Sequence, residues 1–292
     1  MRVLVIGDVM LDVIVKPHAA INPSSDTPAS VRILRGGSGA NLAVALALGG
    51  HDVTYVGACG DDIMAQIFVD DLIDSGVRAA LEKGVAPTGV VVSLVGADAQ
   101  RAMLSDRGAN SSLSSDHVRH QLEEPFDHLH VSGYTMLDEH SRAVGVEALR
   151  RAATLGATTS IDVCSIGPLR IMTPQVFLDC AAGATFLFAN EEESLALTGS
   201  PDAVSALDHL ALEFGEVVVT RGVNGALARN DARHFEVTSL SEDVSDTTGA
   251  GDAATGAYLA VRLDGGTVDV ALREAMKAAS IVVRGLGARG QS

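Results

Sequence analysis

Asp246-Thr247-Thr248-Gly249-Ala250-Gly251-Asp252 runs directly into the apolar, small-residue stretch Ala253 to Val261. Two glycines and a carboxylate therefore fall where a helix is predicted to start. Glycine lets the backbone come close to a ligand, and the unpaired N–H groups of a helix start, with the helix dipole, favour an anion. That suits a transferring phosphoryl group. Asp252, within the first turn, is placed to accept the proton of a hydroxyl attacking beside that anion. The same field should keep Asp252 ionised and make it a weak base. In a loose phosphoryl-transfer transition state the nucleophile loses its proton late, so position outweighs basicity. A bare GxGD is more often an ordinary helix cap; the full seven-residue string favours the anion seat.

Outward from this string, strand-like apolar runs alternate with helix-period segments, the pattern of a parallel sheet covered on both faces. Strands are predicted at Val3 to Ile6, Val53 to Val56, Leu129 to Val131, Thr159 to Asp162, Thr185 to Phe188 and Val217 to Thr220. Helices are predicted at Ser38 to Leu48, after Asp61 and Asp62, and around Glu139 to Leu155, Glu191 to Leu197 and Asp202 to Phe214, with two more between Gly249 and Arg284. Two places break the rhythm: Asp12 to Arg35, and Gly89 to Leu104, where β-rich residues occur without a helix between them. Val90 to Val95 and Arg101 to Leu104 read as a hairpin with a polar turn at 96–100. These segments, approximately 12–35 and 89–106, form either a small β-sheet lid over a site or an ordinary sheet edge. Neither an internal repeat nor a linker divides the chain, so residues 1–292 read as one α/β domain.

The 292 residues are 47% hydrophobic and 20% charged, with 30 Gly and no Trp, the composition of a globular protein rich in turns. A formal net charge of -16 argues against nucleic acid as a partner, because phosphate-backbone binding needs clustered Lys and Arg. Cys59, Cys164 and Cys180 have neither disulfide-framework nor zinc-knuckle spacing. The opening apolar run is too short for a signal peptide, and no run approaches a membrane span, so a cytoplasmic location is expected.

Other phosphate motifs fail. Lys16, Lys83 and Lys277 never follow a Gly, which excludes a P-loop. Gly37-Ser38-Gly39 has Leu42 where a dinucleotide fingerprint needs its third Gly, and it comes too late in the chain.

DTTGAGD resembles the C-terminal signature of the ribokinase (PfkB) family of carbohydrate kinases, and further segments match in the same order. Gly36-Gly37-Ser38-Gly39-Ala40-Asn41 resembles its GGxxxN motif, Asn190-Glu191-Glu192-Glu193 its NxxE motif, and Thr220-Arg221-Gly222-Val223-Asn224-Gly225 its TxGxxG nucleotide loop. Gly7-Asp8-Val9-Met10-Leu11-Asp12 stands in place of the opening substrate motif. Each motif alone is weak; their order across the whole chain is specific.

The resemblance implies a ribokinase-like fold, a central mostly parallel sheet flanked by helices with a small lid, and ATP- and Mg²⁺-dependent phosphorylation of a sugar or sugar-acid hydroxyl. Gly249, Ala250 and Gly251 would line the anion hole and Asp252 would be the base. Asn190, Thr220, Gly222 and Gly225 would face the nucleotide. Asn190 and Glu193 would order waters around Mg²⁺; by spacing alone a helix N-cap followed by a solvated Glu is the better reading. Asp246 and Thr248 correspond to positions that help hold K⁺ in many members. Asp12, Gly37 and Asn41 match sugar-contacting positions, where unpaired buried hydroxyls would cost about 1–3 kcal/mol. Met10 departs from the Asn expected of a ribokinase, and Ser38 from the frequent Lys, which makes ribose itself a less secure substrate. Arg107 either binds a substrate carboxylate bidentately or belongs to a surface turn. A homodimer through the lid is expected, because exposed edge strands are usually covered.

The alternatives are a nucleoside kinase, disfavoured by the lack of any aromatic residue between Gly7 and Gly50, and a non-catalytic sugar sensor, which would not need Asp252. His128 and His130 share one strand face and could hold a metal, but no third ligand is placed with them. Asp162 and Ser165 follow a strand end and are assigned no role.

Overall fold

The computed structural model describes residues 1–96, 101–231, 233–240 and 249–284. The expected K⁺ positions Asp246 and Thr248 and most of the expected turn at 96–100 lie outside the described residues.

The strands are β1 (Arg2–Ile6), β2 (Met10–Pro17), β3 (Ala29–Gly36), β4 (Asp52–Cys59), β5 (Val77–Lys83), β6 (Gly89–Val95), β7 (Arg101–Asp106), β8 (His128–Val131), β9 (Thr158–Asp162), β10 (Phe186–Asn190), β11 (Glu216–Thr220), β12 (Ala226–Asn230) and β13 (Arg233–Val237). The helices are α1 (Ser38–Leu48), α2 (Ile63–Asp74), α3 (Ser115–Gln121), α4 (Gly133–Leu137), α5 (Arg142–Thr154), α6 (Ile166–Met172), α7 (Pro174–Ala181), α8 (Glu191–Thr198), α9 (Ala203–Leu210), α10 (Ala250–Leu263) and α11 (Val268–Arg284).

Nine strands form one sheet in the order β13-β12-β11-β10-β9-β8-β1-β4-β5. From β11 to β5 all neighbours are parallel, while β12 and β13 add an antiparallel edge. Val3, Leu4, Val5 and Ile6 of β1 are all buried, as a central parallel strand covered on both faces requires. One core packs α3, α5, α7, α8 and α9 against the sheet, and the other packs α1, α2, α10 and α11 on the opposite face.

A separate sheet of order β3-β2-β6-β7 forms the lid. β2 pairs antiparallel with β3 and parallel with β6, and β6 pairs antiparallel with β7. The lid strands begin slightly earlier than expected, at Met10, and end slightly later, at Gly36.

α1 has the predicted bounds, and Asp62 caps α2 by accepting from the Ala65 N–H at 2.9 Å. The helix expected from Glu139 starts only at Arg142. Asp138 Oδ1 takes the His140 and Ser141 N–H groups, both at 3.0 Å, which folds 138–141 into a turn first. The helix expected to reach Phe214 ends at Leu210. Among the described residues no helix is long and apolar enough to cross a membrane.

Candidate active site

A cleft of about 1100 Å³ opens between the lid and the C-terminal ends of the parallel strands, the usual ligand edge of such a sheet. Asp12, Gly37, Asn41, Arg107, Asn190, Glu193, Thr220, Gly249, Gly251 and Asp252 all line it. Ala250, Gly222 and Gly225 do not line it.

Two helix starts meet in its floor. Gly249, left-handed at φ 76°, caps α10, and Asp252 sits in the first turn. Gly37, at φ 96°, caps α1, and a Cβ there would run into the Asp8 carbonyl oxygen, so only Gly fits. From Gly37 the chain enters α1 with Ser38 and Asn41 three apart on one face. Ser38 Oγ donates to Asp252 Oδ1 at 2.7 Å and Asn41 Nδ2 donates to Asp252 Oδ2 at 2.9 Å. The GGxxxN spacing therefore orients the carboxylate of the distant GAGD segment.

Asp252 has a carboxyl pushed up to about 6. Burial is the main cause; the hydrogen bonds from Asn41 and Ser38 oppose it, and the charges of Asp162 and Asp12 add to it. The weak base expected from the helix dipole is thus corrected: desolvation outweighs the dipole and leaves a carboxylate with useful proton affinity.

Asp162, which had no assigned role, closes β9 beside this carboxylate. Its Oδ1 accepts from the Gly133 N–H at 2.8 Å, and Ser38 Oγ lies 3.1 Å from its Oδ2. A carboxylate on the last residue of a parallel strand was the available signal. Cys164, at φ 67°, has its thiol pushed up by burial and the Asp162 charge, and its Sγ is 3.6 Å from Ser38 Oγ.

Arg107 does not lie in a surface turn. Its guanidinium grips Asp8 bidentately at 2.6 and 3.0 Å, and its Nε lies 2.9 Å from Asp138 Oδ2. The carboxylate it was expected to bind is supplied by its own chain. Burial works against the charge on Asp138, but the Ser141 N–H, Arg107 and the His140 N–H outweigh it and hold that carboxyl below its ordinary value. Asn110 clamps the passage from β1 to β2, accepting from the Val9 N–H at 2.7 Å and donating to the Val9 carbonyl at 2.9 Å. Its Nδ2 also lies 3.2 Å from the sulfur of Met10. Asp12 lies over Gly36, where any Cβ would collide with the carboxylate.

On the other side of the cleft, Asn190 and Glu193 make a capping box at the start of α8. Asn190 Oδ1 accepts from the Glu193 N–H and Glu193 Oε2 accepts from the Asn190 N–H, each at 2.8 Å. Glu193 is 5% exposed and far from solvated, and burial pushes its carboxyl up to about 7. The hard oxygen donors of this pair fit a Mg²⁺ ion reached through water and carried by phosphates. Among the described residues no cluster of three ionisable ligands could hold a metal by itself. Gly225, at φ 84°, closes the turn from β11 into β12, and a Cβ there would run into the Val237 carbonyl oxygen at the end of β13.

His128 and His130 are fully buried. Both nitrogens of His128 and Nδ1 of His130 are committed to Thr158 and Ser160 at 2.8–2.9 Å, and among the described residues no third ligand stands with them, which disposes of the metal reading.

A family model described as "pfkB family carbohydrate kinase" matches residues 1–292. The "ATP-dependent ribose-1-phosphate kinase" of Halopiger xanaduensis is 30% identical over 298 residues, spanning 99% of this chain and 94% of that protein. The crystal structure of adenosine kinase from Sinorhizobium meliloti superposes with a TM-score of 0.90 at 25% identity, over 100% of this chain and 96% of that one. An E. coli chain solved in complex with ATP and Mg²⁺ matches with a TM-score of 0.86 at 22% identity, over 100% and 96% of the two chains. With the fold, the lid and the paired helix starts in place, the chain belongs to the pfkB family of carbohydrate kinases and phosphorylates a sugar or a nucleoside.

Proposed function

We propose that this enzyme transfers the γ-phosphoryl group of ATP to a hydroxyl of a neutral sugar, with Asp252 as the base. The charge inventory of the cleft carries this reading. Asp8, Asp12, Asp138, Glu139, Asp162, Glu193 and Asp252 line it, against the guanidiniums of Arg107 and Arg142. Arg107 is held by Asp8 and Asp138, and Arg142 Nε donates to the Met136 carbonyl at 3.0 Å. A sugar acid would bring its carboxylate into a field of like charge, whereas Asp12 and Asn41 suit uncharged hydroxyls.

In this reading Asp12, Gly37 and Asn41 face the sugar and Arg107 holds the wall behind it. Asp252 takes the proton of the attacking hydroxyl, and the oxygen's electron pair forms the new P–O bond as the bond to ADP breaks. The N–H groups of Gly249, Ala250 and Gly251 receive the transferring group. Thr220, Gly222 and Gly225 shape the nucleotide side. Mg²⁺ bound with the nucleotide would neutralise phosphate charge, and Asn190 and Glu193 would orient its waters. K⁺ near Asp246 and Thr248 belongs to the same reading, as does a single kinase unit over residues 1–292. The lid edges β3 and β7 expose Val31, Ile33, Met103 and Leu104, which supports a homodimer closed through the lid, checked by sedimentation.

A nucleoside is the second reading, favoured by the apolar side chains of Met10, Val91 and Met103 in the cleft wall, against which a base could pack. The deciding experiment measures ADP release from Mg·ATP with neutral pentoses and hexoses, 2-keto-3-deoxy sugar acids, sugar phosphates and nucleosides. Turnover confined to neutral sugars is expected. Preference for a sugar acid or sugar phosphate would overturn the charge argument, and turnover of nucleosides alone would select the second reading.

A further inference from the structure

Behind the base, a polar track crosses the buried face of the sheet. The register pairs His128 with Thr158 and His130 with Ser160, so alternate residues of β8 and β9 share one face. His128 Nδ1 meets Thr158 Oγ1 at 2.8 Å, and His128 Nε2 meets Ser160 Oγ at 2.8 Å. Ser160 Oγ in turn meets His130 Nδ1 at 2.9 Å. His130 Nε2 is buried, makes no hydrogen bond, and faces Asp162 Oδ1 at 3.7 Å.

Burial lowers both histidines, His128 to about 3, so each is neutral and carries one ring proton. Ser160 has one proton for two imidazole contacts, so the chain can run in only two senses. In one, every donor points toward Asp162 and His130 presents Nε2–H to it. In the other, a bare imidazole lone pair would face an ionised carboxylate. The first sense is the stable one while Asp162 is charged.

A second count applies to Ser38. Its single proton serves Asp252 Oδ1 at 2.7 Å and Asp162 Oδ2 at 3.1 Å. With both carboxylates ionised, one of these contacts is oxygen against oxygen with no hydrogen between them. One added proton on the pair completes both bonds.

We propose that Asp162 is a positioning residue for the base: it shares one proton with Asp252 across the Ser38 hydroxyl, and the directed His128–Ser160–His130 chain holds it in place. The inference rests on the reading of Asp252 as the base. Before transfer the doubly ionised pair is short of one hydrogen, which raises its proton affinity. The proton leaving the substrate hydroxyl supplies that hydrogen as the alkoxide electrons form the P–O bond. The other titratable groups around Asp252 are Asp12 on β2, Asp8 before it, Glu193 on α8, Tyr134 on α4 and Cys164 after β9. Those that are acidic add the same sign of charge, and the cleft guanidiniums are tied elsewhere, so Ser38 is the direct bridge between two carboxylates.

The test pairs kinetics with spectroscopy of the substrate-free protein. In Asp162→Asn, removing the neighbouring charge weakens the base: the acid limb of kcat/KM should move down by about one pH unit, with the plateau falling roughly tenfold and the KM for ATP unchanged. A merely structural role would lower activity without moving the limb, and an unmoved limb overturns the proposal. In wild-type protein carrying ¹³C-labelled aspartate, the carboxyl carbon of Asp162 should shift together with that of Asp252 as Asp252 titrates at about pH 6. Titration of Asp252 alone overturns the shared proton even if the variant does not fold. ¹⁵N spectra should show His130 protonated on Nε2; protonation on Nδ1 would remove the directed chain. Full activity of Asp252→Asn would remove the base assignment instead, while the joint titration and the tautomer would still stand.

Discussion

Helix α10 meets a carboxylate at each of two places, Glu216 buried and Asp252 half-buried, and the two are met by opposite chemistry. Toward its C-terminal half, Glu216 of β11 is 2% exposed and accepts from Arg262 Nε and Nη2, both at 2.8 Å, from the Tyr258 hydroxyl at 2.7 Å, and from Asn230. In its first turn, Asp252 receives, among the described residues, the neutral donors Ser38 and Asn41, with Asp162 and Asp12 adding like charge. A buried carboxylate gripped bidentately by a guanidinium joins a strand to a helix. A buried carboxylate with no cation keeps a proton affinity that chemistry can use. The difference marks which end of α10 staples the fold and which end, in the proposed reading, reacts.

The largest effect expected at the reactive end is in Asp252→Asn. Its kcat should fall by about 10²–10⁴ with nucleotide affinity retained, as for loss of a positioned base. The same substitution should stabilise the substrate-free protein. The folded carboxyl titrates at about 6, above its ordinary 3.8, so ionisation costs the fold stability, increasingly as pH rises between those values and constantly above them. Asparagine is free of that cost, so denaturant titration at pH 8 should show a gain on the order of 1 kcal/mol that vanishes near pH 4. Near-full activity, or a loss of stability at pH 8, would erase the contrast between the two ends.

At the paired end the signs reverse. Arg262→Met leaves Glu216 buried without its cation and should cost about 3 kcal/mol, since breaking a buried pair strands the remaining charge. The folded fraction should keep its kcat. Combining it with Glu216→Gln should recover part of the loss, because the stranded charge is gone. A cost below about 1 kcal/mol would mean that the pair behaves like a surface salt bridge.

These two ends also show what the sequence made legible. The GAGD turn, the GGxxxN helix start and the strand–helix alternation are local signals, and the structure places each where its residues predicted. Helix starts shifted where a side chain intervened, as Asp138 delays α5 to Arg142. What sequence reading missed is set by distance. Arg107 meets Asp8 from 99 residues away, Ser38 meets Asp162 from 124, and Arg262 meets Glu216 from 46. No local pattern announces such partners, so Arg107 read as either a substrate ligand or part of a surface turn, and its grip on Asp8 and Asp138 was not foreseen. The basicity of Asp252 was misjudged for the same reason: the dipole is written in the adjacent residues, while the burial comes from the whole fold. The close approach of the Val237 carbonyl to Gly225, from twelve positions on, was equally invisible.

The smallest expected effect tests a third carboxylate, intermediate between the two. Among the described residues Glu193 has no cation partner, but both its N–H partner and its own N–H belong to the capping box of α8. Its carboxyl is pushed up to about 7 from 4.5, by burial first and then by Asp162, Glu192 and Asp252 against the Asn190 N–H. The sign follows as for Asp252: wild-type stability falls as pH rises from about 4.5 through about 7, and the loss is complete above that. Glutamine at the same position completes a capping box without a charge. Glu193→Gln should therefore match wild type at pH 5 and exceed it by about 1 kcal/mol at pH 8, less than the full shift would give because the start of α8 favours a negative charge. If Glu193 orients the waters of Mg·ATP, wild-type affinity for Mg·ATP should strengthen from pH 6 to pH 8 as the carboxylate ionises, whereas the variant's should stay flat. A wild type more stable than the variant at every pH would show that the helix start, and not burial, governs Glu193, and would move it to the structural side of the comparison.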